Sequence, residues 1–431
     1  MSKPKILFVC SSCGGEHLRW QGKCQFCGEW NTLKEISNQA SVNRGEARKP
    51  KKLSEISLTT HDSRLTAGIE EFDRVLGGGI VGGSAILLSG APGVGKSTLL
   101  LQISERFGKK SPVVYVSGEE AEEQIANRAQ RLGTVADQLY FLNQTDLELM
   151  LSELSEMENL GLVIVDSLQT TTSEAVTGST GSPTQLKYVA ASLARFAKER
   201  GVPVVMTGHV TKSFAIGGPK FLEHIVDVVL TFEGEKFSSF RILRASKNRF
   251  GSTSEVGIFE MKKEGLVEVK DPSEAFLKKH SSAPGSALML AMEGTRPLLL
   301  EVQALTSAMV YRYPKRTTQG LSSKRALLIL AVLEKFGNLN LSRSDIFVKT
   351  SFGMRVFEPA ADLAIAAAVS SSRLKKPISP KLCFFGEVGL NGEVRPVVGD
   401  DDRRRHAKKL GLTPLGAAEI PTVHDLLNLF S

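Results

Sequence analysis

The sequence predicts an α/β protein in three parts: a small N-terminal metal ribbon, a central nucleotide-binding core built on a parallel sheet, and a C-terminal α/β domain. Three observations predict it. Four of the five cysteines form two C-x-x-C pairs within the first 27 residues, and a glycine-rich turn joins an apolar strand to an apolar helix between Ser84 and Leu100. Around that turn, apolar runs and helical patterns alternate in a βα rhythm, as a sheet covered on both faces requires. The boundaries drawn from composition are 1–35 for the ribbon, 36–57 for a linker, 58–274 for the core and 275–431 for the last domain.

The cysteine pairs come first in the chain. Cys10 and Cys13 form one knuckle, Cys24 and Cys27 the other, with ten residues between the pairs. Each C-x-x-C curls two thiolates toward one point, and two knuckles complete a tetrahedral four-sulfur zinc site. Gly14 and Gly28, directly after the knuckles, suit the tight turns. A disulfide framework needs an oxidising compartment, which nothing in the sequence supports. Four protein ligands leave no open position, so the zinc is expected to be structural. Cys383 stands alone and reads as a small buried apolar residue.

Beyond the ribbon, Lys34 to Lys52 has a linker composition, and its cluster Arg48, Lys49, Lys51 and Lys52 is either a solvated charge run or a contact to nucleic acid. The net charge of +8 permits a polyanionic partner without requiring one. No apolar run approaches a membrane span, and Met1 to Cys10 is too short for a signal peptide. A cytoplasmic protein with no membrane partner is the expectation.

The organising stretch is the phosphate loop Gly90-Ala91-Pro92-Gly93-Val94-Gly95-Lys96-Ser97-Thr98, which fits G-x-x-x-x-G-K-[ST]. Its glycines allow consecutive N–H groups to cradle the phosphates of a nucleoside triphosphate such as ATP. Lys96 supplies charge to the outer phosphates, Ser97 offers a hydroxyl to Mg²⁺, and the helix that follows adds its positive end.

Strands are expected at Pro112 to Val116, Leu139 to Leu142, Leu162 to Val165 and Val202 to Thr207, then at Val226 to Phe232 and Phe240 to Leu243 with a polar turn between them, and helices at Ala121 to Leu132, Leu147 to Met157 and Gln185 to Arg200. Asp166, ending an apolar strand a few βα units after the loop, suits a magnesium-organising carboxylate. The strand Pro112 to Val116 runs into Glu119 and Glu120; a carboxylate there either polarises the attacking water or favours the start of the next helix. His209 senses the γ-phosphate or is structural. Lys247 and Arg249 in KNRFG are surface charges or reach a phosphate. After Ala275 come strand-like runs at Ala287 to Met292 and Pro297 to Leu305, and helices at Ala326 to Phe336 and Pro359 to Ser372. The charge switch Asp400 to Arg405 reads as a solvated helix.

With these residues placed, the chain resembles the RadA (Sms) family of bacterial DNA repair proteins over nearly its full length. The features that carry the resemblance are the four-cysteine ribbon with Trp20 and GEWNT, the run LTAGIEEFDRVLGGGIVGG before the phosphate loop with YVSGEE after it, the pentapeptide KNRFG, and EPAADLA with GEVGLNGEVRPV near the end. The resemblance implies a RecA-like ATPase core and a C-terminal Lon-protease-like domain. It also implies Glu119 as catalytic base, His209 as sensor, and DNA contacts in Thr172 to Gln185 and Thr211 to Leu222, with Lys212 and Lys220 as candidate phosphate ligands. Lys247 and Arg249 become trans-acting fingers, which implies a homo-oligomeric ring, a hexamer by analogy. Expected partners are single-stranded and branched DNA and the recombinase RecA.

Ser213 departs from the acidic residue that follows the GHVTK lysine in family members, and VVGDDDRRRHAKK replaces a more amphipathic run. In the protease-like part, the nucleophile's place holds Ala360 and the lysine's place falls at or next to Asp401, so peptide hydrolysis is not expected. The function implied is a DNA-dependent ATPase that translocates on single-stranded DNA and processes recombination intermediates. Its rival is a nucleotide-switched scaffold that recruits recombination proteins without unwinding DNA.

Overall fold

The computed structural model describes residues 7–36, 64–209, 220–234, 239–269, 273, 283–309, 313–351 and 356–430. Two compact units emerge: Met1–Glu233 with Ile242–Thr253 and Phe259–Glu268, and Gly234–Arg241 with Ser254–Ile258 and Val269–Ser431. Each has its own sheet.

The chain opens with the short antiparallel strands β1 (Leu7–Cys10), β2 (Glu16–His17) and β3 (Leu33–Ile36). Then come β4 (Arg64–Leu65), α1 (Glu70–Val75) and β5 (Ile80–Val81), followed by β6 (Ala85–Gly90) and α2 (Lys96–Gly108) on either side of the phosphate loop. The alternation continues through β7 (Val113–Ser117), α3 (Glu122–Leu132), β8 (Leu139–Leu142), α4 (Leu147–Glu156), β9 (Leu162–Asp166), α5 (Pro183–Arg200), β10 (Val204–His209), the short α6 (Lys220–Glu223) and β11 (Val228–Glu233). Strands β11, β6, β10, β9, β7 and β8 lie parallel in that order.

Strand periodicity explains why both faces are covered. Ile86, Leu88, Tyr115 and Ile164 point into one apolar cluster with Leu99, Ile103 and Phe72, whereas Ala85, Leu87, Val114 and Val163 join Met150, Val189 and Leu193 in another. The expected βα core is therefore present. Helix ends follow local chemistry: Ser182 caps α5 and Pro183 starts it, while Gly201 ends it at φ 70°.

The sheet also carries three strands outside the βα alternation, the first of them beginning at the expected Phe240. β12 (Phe240–Asn248), β13 (Val256–Lys262) and β14 (Gly265–Glu268) extend it beyond β11 to nine strands, with β12 antiparallel to β11 and β14 antiparallel to β13. Their connections are too short for crossovers, so the chain must turn back. β12 runs past the expected Leu243 end, which places Lys247 inside a strand and Arg249 just after it.

In the second unit, β15 (Ser286–Glu293), β16 (Arg296–Ala308), β17 (Arg316–Gln319), β18 (Ser344–Thr350), β19 (Leu382–Phe384) and β22 (Thr413–Leu415) form one six-stranded mixed sheet, and β20 (Glu387–Val388) pairs with β21 (Val394–Arg395). Helices α7 (Ser323–Lys335), α8 (Ala361–Leu374), α9 (Asp400–Lys409) and α10 (Val423–Asn428) complete it. Residues Ala361 to Ser371 of α8 are all buried, which its run of small side chains permits. Ala360, expected in the nucleophile's place, is buried, and Asp401, expected at or next to the lysine's place, is exposed on α9.

The reading of Asp400 to Arg405 as a solvated helix needs correction. The helix is there, but Arg403 is 0% exposed. Its Nε donates to Leu290 O at 2.9 Å, its Nη1 to Val398 O at 2.5 Å and its Nη2 to Glu358 Oε2. Arg404 forks onto both Glu419 oxygens at 2.8 and 3.0 Å and lies over the Phe385 ring. The arginines serve packing because a fully bonded guanidinium tolerates burial.

Candidate active site

The phosphate loop takes its shape from its neighbours. A Cβ on Gly90 would lie 2.5 Å from Phe232 O of β11, so only glycine lets β6 end there. Gly93 and Gly95 hold φ of 75° and 114°, in the left-handed region that glycine favours. Helix α2 then begins with no side-chain cap and no acid in its first turn. Such an end, with orphan N–H groups and a positive dipole, fits a phosphate. Lys96 is 5% exposed, and its Nζ donates to Gly90 O at 2.9 Å and Ala91 O at 3.3 Å. Burial lowers its pKa, while Asp166 and Glu119 pull the other way. The ammonium, the Asp166 carboxylate and the Glu119 carboxylate thus share one electrostatic site.

Asp166 closes β9 and is nearly buried. Thr207 donates to its Oδ1 and Tyr115 to its Oδ2, both at 2.6 Å. Burial pushes the Tyr115 phenol well above its ordinary value, reinforced by Asp166, so it remains a neutral donor. A carboxylate fixed this way next to Ser97's helix suits Mg²⁺ held through water. Glu119, after the end of β7, accepts from the Ser167 hydroxyl, and Glu120 instead pairs with Arg128 of α3 at 2.7 Å. The two adjacent carboxylates therefore face different neighbours: Glu119 joins the phosphate-loop cluster and Glu120 is turned to α3.

His209 ends β10, its backbone in register with Gly90 of β6. Lys212 and Ser213 lie outside the described residues, as do the side chains of His209 and Lys220 and the cluster Arg48 to Lys52. Within Thr172 to Gln185, the buried Gln185 amide accepts from Ser173 N at 3.0 Å and donates to Ser173 O at 2.9 Å and Val176 O at 2.8 Å. One side chain thus anchors that loop to α5.

Lys247 and Arg249 sit elsewhere. Lys247 Nζ donates to Glu223 O, and to Val226 O at 2.7 Å. Arg249 Nη1 meets Asp227 Oδ1 at 3.0 Å, and Asp227 Oδ2 accepts from Ala85 N at 3.1 Å. Burial lowers the Lys247 pKa and Arg249 adds to it, opposed by Asp227 and Glu223. Ala85 starts the strand that Gly90 ends, so Arg249 and the phosphate loop lie at opposite ends of the parallel sheet, about 16 Å apart along β6. Arg64 fixes the pentapeptide there, donating to Phe250 O at 2.5 Å and Leu76 O at 2.8 Å. One chain does not bring the two groups together.

In the ribbon, Gly14 N bonds to Cys10 O at 2.9 Å and Gly28 N to Cys24 O at 3.0 Å, the tight turns expected of the knuckles. The four sulfurs lie within 4.8 Å of one another, with Cys10 and Cys27 at 3.6 Å and Cys13 and Cys24 at 3.5 Å. Sulfurs about 2.3 Å from a tetrahedral zinc stand about 3.8 Å apart, so the cluster fits that ion. Burial raises the Cys10 thiol, but hydrogen bonds led by Thr32 outweigh it and bring it to about 6.

The contacts of several supporting residues are not legible in the sequence, that of Ser167 beside Asp166 included. Tyr115, Thr207, Ser167 and Asp227 each lie within an apolar strand or directly beside one, where a lone polar residue is the available signal. His17 Nε2 stands 3.4 Å from Cys24 Sγ, and its single mark in the sequence is a position between the knuckles.

A family model described as an AAA domain matches residues 49–215, and one described as a rubredoxin metal binding domain matches residues 8–35. The DNA repair protein RadA of Bacillus subtilis (strain 168) is 46% identical over 95% of this chain and 92% of its own length. That of Aquifex aeolicus (strain VF5) is 46% identical over 95% of this chain and 93% of its own. Among solved structures, the RadB recombinase matches 48% of this chain and 100% of its own, at 19% identity and a TM-score of 0.38.

Proposed function

The chain belongs to the DNA repair protein RadA family, and from that premise we propose that it is an ATP-hydrolysing DNA motor whose active sites are completed between subunits of a ring. The observation that carries this reading is the placement of Lys247 and Arg249 at the end of the sheet opposite the phosphate loop. Cations so placed cannot serve their own loop, yet in a head-to-tail ring they face the next subunit's.

In this reading Gly90 to Thr98 bind the phosphates, Lys96 neutralises the outer ones, and Ser97 with Asp166 hold Mg²⁺. Glu119 accepts the proton of the attacking water, His209 reports the γ-phosphate to the residues that follow it in the chain, and Lys247 and Arg249 of a neighbour stabilise charge in the transition state. Lys212 and Lys220 contact the DNA backbone, and the protein moves along single-stranded DNA to process branched recombination intermediates beside the recombinase RecA. The protease-like unit, with Ala360 and Asp401 where hydrolysis needs a nucleophile and a lysine, serves assembly or DNA binding. Zinc holds the ribbon.

Subunit mixing tests the proposal. Lys96→Ala and Lys247→Ala are each expected to abolish DNA-stimulated ATP hydrolysis, with Lys247→Ala retaining nucleotide binding. A mixture of the two is expected to recover about a quarter of wild-type activity, because some interfaces pair an intact loop with an intact finger. Mixtures as inactive as the parents exclude the shared site. Strand displacement on a forked substrate by the purified protein separates the motor from a nucleotide-switched scaffold.

A further inference from the structure

Glu119 is an exposed side chain on a loop, so packing alone does not fix its direction. A base must nevertheless aim one oxygen at its water, and small misplacements are costly in rate. Ser167 is 1% exposed, and its hydroxyl donates to Glu119 Oε1. Its backbone is itself held: Ser167 O accepts from the Thr170 hydroxyl at 3.0 Å and the Thr171 hydroxyl at 3.2 Å, and the next amide, Leu168 N, donates to Thr207 O at 3.1 Å. On the other side, Arg128 holds Glu120 toward α3, which leaves Glu119 as the carboxylate of the pair turned to Ser167.

We infer that Ser167 is a positioning residue for hydrolysis: its buried hydroxyl, fixed one residue beyond Asp166, sets the direction of the Glu119 carboxylate toward the attacking water. This rests on the reading of Glu119 as the base. One strand end then organises two jobs, with Asp166 on the metal side and Ser167 on the water side. A hydroxyl is suited to the task because it donates one bond to a carboxylate oxygen without adding charge beside the phosphates.

The experiment uses the full chain with DNA, measuring single-turnover ATP hydrolysis, affinity for a fluorescent ATP analogue and thermal unfolding of Ser167→Ala, Ser167→Thr, Glu119→Gln and the double variant Ser167→Ala with Glu119→Gln. Ser167→Ala is expected to lose about 10- to 100-fold in rate while nucleotide affinity and melting stay at wild-type values. Ser167→Thr, which keeps the hydroxyl, recovers most of the rate. In the Glu119→Gln background, Ser167→Ala is expected to cost less than about twofold, because the group it positions is already gone. Unchanged rate in Ser167→Ala, or equal losses in both backgrounds, overturns the inference. Should the threonine methyl overfill the site and lower melting, the non-additivity of the alanine cycle still decides. Full activity in Glu119→Gln defeats the reading of Glu119 itself, whereas a dead Glu119→Gln beside a fully active Ser167→Ala defeats only the role of Ser167.

Discussion

Asp362 shows how far one buried residue departs from its exposed chemistry. Its side chain is 1% exposed on α8, and its Oδ2 accepts from Arg325 Nη1 at 2.7 Å and Val388 N at 3.2 Å. Burial pushes its carboxyl up to about 6, although Arg325 pulls it down. A carboxyl with a folded pKa above its unfolded value binds its proton more tightly when folded, so its contribution to stability grows as pH falls from about 6 toward 4 and is lost as pH rises through 6. Asp362→Asn is expected to remove about 3 kcal/mol of that pH dependence. Urea unfolding of the two proteins between pH 4 and 7 reads it, and parallel curves would show that another group titrates.

At the scale of elements, α9 is held less by its exposed charges than by one hidden arginine. Arg403→Ala leaves Glu358 Oε2 and the carbonyls of Leu290 and Val398 without their donor, and a cost of about 3–5 kcal/mol is expected. Arg405→Ala, an exposed neighbour paired with Asp402, is expected to cost less than about 1 kcal/mol. Denaturation midpoints of the two variants compare them directly, and equal values would place the support elsewhere. The same helix marks what sequence can disclose. Strand-helix alternation around Gly90 to Thr98 is legible because periodicity and glycine spacing are local, and Asp166 is legible because it ends an apolar run. Burial of Arg403 is not, since its partners Leu290 and Glu358 come from distant parts of the chain. The Glu119 and Glu120 pair lies between these cases. Adjacent acids read alike until Ser167 and Arg128, brought in by β9 and α3, give them different neighbours.

For the whole molecule, the separation of phosphate loop and KNRFG along β6 leaves the two groups apart within one subunit, and the shared-site reading makes them two half-sites. Under the shared-site reading, ATP hydrolysis per subunit is expected to fall steeply as the protein is diluted below its assembly range. A rate per subunit that stays constant on dilution, while light scattering reports dissociation, would contradict it. The ribbon adds a means of observation. Both tryptophans of the chain, Trp20 and Trp30, lie in the ribbon, at 59% and 67% exposure, and Lys23 Nζ stands 5.6 Å from the Trp30 ring. Indole emission therefore reports the first 36 residues and is silent about the ATPase sheet. Chelating a metal held by the four cysteines is expected to change that emission while nucleotide binding persists, which makes the ribbon's indoles an optical indicator separate from the ATPase sheet.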